Sequence, residues 1–166
     1  VLELGCGTGR YGVVIADRAA QLTCADRSPA MLEEARKKLA AFQNVRVQQE
    51  DCFSTSFADD SFDVVFMGNL LHVVTPAEDA VIEACRVLKP GGKLLAVDFT
   101  SKGMSFPALL RMIFTIMTTW GLPSKDNQVV TPEMLGGMAT KAGLTVIGTE
   151  LIGHSEKAVC LHAEKV

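Results

Sequence analysis

The 166-residue sequence lacks most features that mark specialised protein classes. Its five cysteines are odd in number and include no CxxC pair, which argues against a disulfide framework or a zinc site. Because 16 Lys and Arg stand against 19 Asp and Glu, no broad surface for nucleic-acid phosphates is expected. The longest apolar stretch, residues 104–120, contains Pro107 and Arg111, so no stable membrane insertion is expected. These absences predict a cytoplasmic protein with reduced thiols and no metal site.

The composition that remains is typical of one folded domain. The sequence is 48% hydrophobic and 21% charged, and 166 residues are enough to bury a single core, so we assign residues 1–166 to one domain. The first residues, Val1–Leu4, already resemble a buried strand, and no Met precedes them. We therefore expect that the N-terminal part of the domain is missing from this sequence.

Strand and helix patterns alternate along the chain. Ser28 and Pro29 are the N-cap and first-turn residues of one predicted helix. This alternation predicts an α/β fold with a doubly wound parallel sheet. The link at residues 152–157 is too short for a helical crossover, so the last two strands should be antiparallel. The predicted strands cover residues 1–4, 22–25, 45–48, 62–67, 93–98, 144–151 and 158–165, and the helices cover 10–20, 29–41, 76–88 and 132–142.

A glycine-rich loop, Gly5–Gly9, follows the first strand, at the position where doubly wound sheets bind ligands. Residues 7–12 also match the dinucleotide pattern GxGxxG, with Asp26 as a possible ribose partner. Glu3, two residues before the loop, separates the two interpretations. A carboxylate there would repel a pyrophosphate, whereas it suits a ligand with an ammonium group and a positively charged sulfur, such as S-adenosylmethionine.

The glycine loop is one of five segments that resemble motifs of the class I S-adenosylmethionine-dependent methyltransferases. The likeness covers nearly the whole chain and is strongest to the small-molecule branch with the ubiquinone and menaquinone C-methyltransferases. It implies a Rossmann-like seven-stranded sheet, mostly parallel, with one antiparallel strand near its edge. The five segments are Glu3–Gly9, Asp26–Leu32, Gln49–Cys52, Phe62–Val65 and Arg86–Gly92.

The resemblance also implies which residues hold the cofactor. Glu3 would face its ammonium group directly or through water, the glycine loop would pass beneath its methionine part, and Asp26 would accept from both ribose hydroxyls. Asp51 would accept from the adenine amino group, while the Cys52 backbone N–H would donate to a ring nitrogen. For the loop and Asp26 the alternative is turn and capping duty, and for Asp51 it is a solvated loop carboxylate. The predicted cofactor-binding residues are Glu3, Gly5, Cys6, Gly7, Gly9, Asp26, Arg27, Met31, Asp51, Cys52 and Asn69.

Two further residues are candidates for the methyl-transfer step. Positioning supplies much of the catalysis of methyl transfer, and a general base is needed only when the acceptor holds a proton. His72, just after the fourth strand, is the candidate base, and a histidine within a structural turn is the alternative. Tyr11 begins the first helix beside the glycine loop and is the second candidate, with simple packing as its alternative.

Apolar residues recur at helical spacing within residues 105–120. We interpret residues 103–128 as a helical cap inserted after the fifth strand, whose Met- and Phe-rich face covers an apolar acceptor. The alternative is that this face packs on the missing N-terminal segment or on a second subunit in a homodimer.

These observations predict an enzyme that transfers a methyl group from S-adenosylmethionine to a small, apolar or amphipathic acceptor, with no nucleic-acid partner. The first alternative is a module that binds S-adenosylmethionine or its homocysteine product without methyl transfer, as a sensor, scaffold or other catalyst. The second is an NAD(P)-dependent oxidoreductase that uses residues 7–12 and Asp26.

Overall fold

The computed structural model describes residues 1–102, 104, 107, 110, 111, 114, 128–153 and 157–166. Strands and helices alternate through most of this range, which confirms the predicted α/β class. The strands are β1 (Leu2–Leu4), β2 (Leu22–Asp26), β3 (Val45–Gln49), β4 (Phe62–Gly68), β5 (Leu88–Thr100), β6 (Leu144–Ile152) and β7 (Lys157–Lys165). The helices are α1 (Gly12–Ala16), α2 (Pro29–Leu39), α3 (Ala77–Val87) and α4 (Pro132–Lys141).

The strands form one seven-stranded sheet in the order β3-β2-β1-β4-β5-β7-β6. All neighbouring pairs are parallel except those of β7, which runs antiparallel to both β5 and β6. The predicted single antiparallel strand is thus confirmed, and it lies one position inside the edge. Because β1 lies between β2 and β4, with Leu4 paired to Ala25 and Met67, the carboxyl ends of these three strands meet at one edge of the sheet.

Helices cover both faces of the sheet, as a doubly wound fold requires. Cys24 packs with α1 and α2, whereas the next residue of β2, Ala25, belongs to the core beneath α3 and α4. Successive residues of a strand point to opposite faces, so these two cores lie on opposite sides of the sheet.

The ends of two elements differ from the sequence prediction for identifiable reasons. Helix α1 is shorter than the predicted 10–20, and the Asn44 side-chain amide donates to the carbonyl oxygens of Ala16 and Ala19, at 2.8 and 2.7 Å. Strand β5 begins at Leu88 rather than residue 93, because Leu88 already pairs with Phe62 across a shift in register. In contrast, α2 begins at the predicted cap, where the Met31 N–H donates to the Ser28 hydroxyl at 3.4 Å.

Most of the predicted cap, residues 103–128, lies outside the described residues. Within it, Pro107, Leu110, Arg111 and Phe114 have helical backbone and exposed side chains. No helix in the part of the chain that the structure describes is long and apolar enough to cross a membrane. The same residues contain no group of three or more His, Cys, Asp or Glu side chains arranged to hold a metal ion.

Candidate functional site

The glycine loop joins β1 to α1 and is anchored on the end of β2. The Gly5 N–H donates to the Ala25 carbonyl at 2.8 Å, and Gly5 has a positive φ of 72°. A Cβ at Gly5 would lie 2.6 Å from a Leu70 methyl carbon, so only glycine fits there. Gly7, with φ of 52°, has no heavy atom within 4 Å of its hypothetical Cβ. The loop therefore combines a tightly packed anchor at Gly5 with open, bare backbone at Gly7.

Asp26, the last residue of β2, ties this loop to the start of α2. Its two carboxylate oxygens accept from the Gly7 N–H at 2.8 Å and from the Ser28 N–H at 2.9 Å. Each carboxylate oxygen can accept more than one hydrogen bond, so both retain capacity for hydroxyl donors from a ligand. Asp26 thus has the turn and capping role that was the alternative interpretation of the sequence, and its free lone pairs still permit a ribose contact. The Cys6 side chain is buried in the α1–α2 core, its N–H donates to the Ala25 carbonyl at 3.0 Å, and its carbonyl accepts from the Gly9 N–H at 2.9 Å.

Glu3 lies beneath the loop rather than at its mouth. It is only 1% exposed, and its Oε2 accepts from the Cys24 thiol at 3.3 Å. Its Oε1 is buried without a hydrogen-bond partner among the described residues. Burial raises the pKa of this carboxyl from 4.5 to about 7, with Asp26 adding to the effect and the Cys24 hydrogen bond opposing it. A buried carboxylate oxygen without a donor is a position where a cationic ligand group would be stabilised.

The segment after β3 runs alongside the end of β2, because the Glu50 N–H donates to the Asp26 carbonyl at 3.1 Å. Asp51 lies 4.0 Å from the exposed Arg27 guanidinium, so this pair borders the site on the β3 side. The Cys52 thiol is half-buried, and burial raises its pKa to about 11, which keeps it neutral near pH 7. The two residues predicted to meet the adenine, Asp51 and Cys52, therefore lie beside the end of β2. Met31, in the first turn of α2, has an exposed side chain.

Tyr11 contacts the end of β4. Its ring packs edge-on against Phe66, with centroids 5.3 Å apart, and a Cβ at Gly68 would lie 2.5 Å from the ring. Its hydroxyl accepts from the Asn69 side-chain amide at 2.9 Å, and Asn69 has a positive φ of 55°. Glycine at position 68 thus creates the space that Tyr11 fills, and the hydrogen bond joins the start of α1 to the loop after β4.

His72 forms a close pair with a residue that sequence reasoning missed. Its Nδ1 lies 2.5 Å from an oxygen of Asp98, which is 1% exposed near the end of β5. The other Asp98 oxygen accepts from the Leu71 N–H at 2.7 Å. An ionised carboxylate only accepts hydrogen bonds, so Nδ1 carries the hydrogen and Nε2 is left as the acceptor of the ring. The sequence signal for Asp98 was its position as the last residue of the predicted strand 93–98, and the structure pairs Gly68 with Val97, which places the carboxyl ends of β4 and β5 side by side.

The site residues therefore form two groups at one edge of the sheet. The first surrounds the ends of β1, β2 and β3 and holds the predicted cofactor-binding side chains except Asn69. The second surrounds the ends of β4 and β5 and contains His72 and Asp98. The hydrogen bond between Tyr11 and Asn69 connects them.

Comparison with known proteins adds an independent observation. Residues 2–96 match a family described as a methyltransferase domain. The chain is 39% identical over 111 residues to the ubiquinone/menaquinone biosynthesis C-methyltransferase UbiE of Desulfotalea psychrophila, covering 64% of this chain and 45% of that protein. It is 32% identical over 172 residues to an uncharacterized methyltransferase of Synechocystis, covering 99% of this chain and 76% of that protein.

A solved structure shows the same fold. The chain aligns with a SAM-dependent methyltransferase from Aquifex aeolicus at a TM-score of 0.76 and 20% identity, covering 99% of this chain and 81% of that chain. Several curated relatives are much longer than this chain. It spans 6% of two squalestatin tetraketide synthases and 41% of three demethylmenaquinone methyltransferases.

Proposed function

This chain belongs to the methyltransferase-domain family, within the class I S-adenosylmethionine-dependent methyltransferases, and from that premise we propose that it methylates a small, apolar or amphipathic acceptor. The observation that carries the proposal is the 2.5 Å contact between His72 and Asp98, at the same sheet edge as the glycine loop. The relative named for ubiquinone and menaquinone biosynthesis supports a quinone-related acceptor.

The residues of the first group fit S-adenosylmethionine. The open backbone at Gly7 gives space for its methionine part, and the unpartnered Oε1 of Glu3 suits its ammonium group. Asp26 has oxygen lone pairs for the ribose hydroxyls, while Asp51 and the Cys52 backbone N–H would meet the adenine. The cofactor, when bound, supplies a methyl group attached to a positively charged sulfur, and this sulfur is a good leaving group. Cys6, Arg27, Met31 and Asn69 complete the proposed cofactor-binding set, with Gly5 and Gly9 shaping the loop.

His72 is the proposed general base. Its Nε2 would accept the proton that the nucleophilic atom of the acceptor loses as it attacks the methyl carbon. Asp98 is buried and hydrogen-bonded to the opposite ring nitrogen, so it fixes the ring orientation and stabilises the imidazolium that forms. Tyr11 would border the same space through its contact with Asn69. The chemistry therefore suits an acceptor that holds an acidic O–H or C–H proton at neutral pH.

The proposal is tested with radiolabelled methyl transfer from S-adenosylmethionine to reduced 1,4-naphthoquinone, simple phenols and a β-ketoacyl thioester. The wild-type chain, His72→Ala and Asp98→Asn are compared, and cofactor binding is measured by calorimetry. Both variants should bind the cofactor with unchanged affinity and lose about 10²- to 10⁴-fold in methyl transfer, the usual contribution of a general base.

The matched control is His162→Ala, since His162 lies on β7 away from the loop after β4. This variant should retain the wild-type rate. An unchanged rate in His72→Ala would exclude His72 as the base. Cofactor binding without product formation across all acceptors would favour a binding module over a methyltransferase.

A further inference from the structure

We infer that Gln128 is a positioning residue for His72, an inference that rests on the function proposed above. Gln128 lies just before α4, and its backbone N–H donates to the His72 carbonyl at 3.0 Å. Its side-chain Nε2 donates to the Leu71 carbonyl at 2.9 Å and to the Val74 carbonyl at 3.5 Å. Gln128 thus donates to three carbonyls, those of Leu71, His72 and Val74, in the loop that carries the candidate base.

Gln128 and Asp98 hold this loop from two directions. Asp98 accepts from the Leu71 N–H and contacts the His72 ring, whereas Gln128 donates to the Leu71 and His72 carbonyls. The peptide groups on both sides of His72 are therefore fixed by hydrogen bonds from outside the loop. Because the peptide planes determine the direction of the Cα–Cβ bond, these bonds also determine where the imidazole is presented.

The side-chain amide is specifically suited to this contact. It has two N–H donors on one nitrogen, and both Leu71 and Val74 offer only carbonyl acceptors. A glutamate at position 128 would have the same size and would keep the backbone bond to His72, but its carboxylate cannot donate at neutral pH. Gln128→Glu therefore removes the two side-chain bonds with the least change in packing.

The first test observes His72 directly and needs no acceptor. In the ¹⁵N-labelled chain, the hydrogen between His72 Nδ1 and Asp98 should give a downfield imidazole N–H resonance in proton NMR, because short hydrogen bonds to charged acceptors are strong. His72→Gln assigns the resonance and Asp98→Asn should abolish it. Gln128→Glu should broaden or remove it through exchange with solvent, while Val129→Ala, at an exposed neighbouring side chain, should leave it unchanged. A sharp, unshifted resonance in Gln128→Glu would overturn the inference.

The second test separates positioning from a general loss of structure. In methyl transfer to reduced 1,4-naphthoquinone, Gln128→Glu should lower kcat about tenfold, since a base displaced by less than an ångström already costs rate. The dissociation constant for S-adenosylmethionine should stay within twofold, because none of its three hydrogen bonds involves the glycine loop. In the His72→Ala background the same substitution should cause no further loss, as expected for two residues that act through one group.

Two outcomes distinguish the inference from its premise. An equal loss in both backgrounds would show that Gln128 acts through stability alone, which would overturn the positioning role. If His72→Ala keeps the wild-type rate while Gln128→Glu still removes the resonance, the contact is structural and the proposed function of His72 is the part that fails.

Discussion

Glu3 provides a direct test of how burial changes the protonation of a carboxyl in the candidate site. Its carboxyl is buried and its pKa is raised from 4.5 to about 7, with the Cys24 thiol and Asp26 as its nearest titratable neighbours. One pKa unit corresponds to about 1.4 kcal/mol, so the difference is equivalent to about 3 kcal/mol of folding free energy. The chain without cofactor should therefore show a strong pH dependence of stability from this one residue.

The sign of the effect follows from the protonation states. Below about pH 4.5 the carboxyl holds its proton in both the folded and unfolded chains, and the protonated form is compatible with burial. As pH rises from about 4.5 to about 7, the unfolded chain ionises first, and the folded state loses about 3 kcal/mol relative to it. In Glu3→Gln the side chain does not titrate, so this loss should be absent.

The measurement is urea unfolding followed by circular dichroism at several pH values between about 5 and 8.5. The free energy of unfolding of Glu3→Gln minus that of the wild type should increase by about 2 to 3 kcal/mol across this range. The amide substitution adds a constant packing cost, so the change with pH is the informative quantity. Glu150→Gln, at an exposed carboxylate on β6, is the matched control for the same change of side chain outside the core. Parallel stability profiles for the wild type and Glu3→Gln would refute the assignment of a buried Glu3 with a raised pKa.

Two substitutions test the remaining contacts of the site. Asp26→Ala removes the acceptor of the Gly7 N–H, and it should weaken S-adenosylmethionine binding at least tenfold by calorimetry, roughly the loss of one charged hydrogen bond. The control Asp17→Ala, at an exposed carboxylate, should keep the wild-type affinity. Equal affinities for the two variants would show that Asp26 does not belong to the site. Gly68→Ala places a Cβ 2.5 Å from the Tyr11 ring and should destabilise the chain by about 1 to 3 kcal/mol in chemical unfolding. In the control Gly137→Ala in α4, the added Cβ meets open space, so this substitution should stabilise the chain by about 0.5 to 1 kcal/mol. An equal loss of stability in both variants would contradict the contact between position 68 and the Tyr11 ring.

The fold could be predicted from the sequence because its signals are local. The near-continuous apolar pattern of β4 and the Ser28–Pro29 start of α2 need no knowledge of distant residues. The early end of α1 escaped prediction because it involves Asn44, whose amide meets the carbonyls of Ala16 and Ala19 only after β3 joins the sheet. The early start of β5 likewise depends on pairing with Phe62.

The candidate site divides in the same way. The glycine loop and Asp26 belong to two short local segments, Glu3–Gly9 and Asp26–Leu32, so sequence alone was enough to propose them as site residues. Asp98 escaped because its role depends on the register of β4 against β5, which brings it to His72 across 26 residues of sequence. Gln128 follows His72 by more than fifty residues and belongs to no motif. Side chains that position other side chains are defined by contacts, and contacts follow from the fold.

The arrangement of the two groups follows from the position of β1 between β2 and β4. This strand order places Asp26 on one side of the glycine loop and the His72 loop on the other. Each group is stabilised by its own internal bonds, Asp26 to Gly7 and Asp98 to His72. The hydrogen bond between Tyr11 and Asn69 connects them at the start of α1. In the proposed function the first group holds the cofactor and the loops after β4 and β5 meet the acceptor, so the acceptor could change through these loops without a change in strand order.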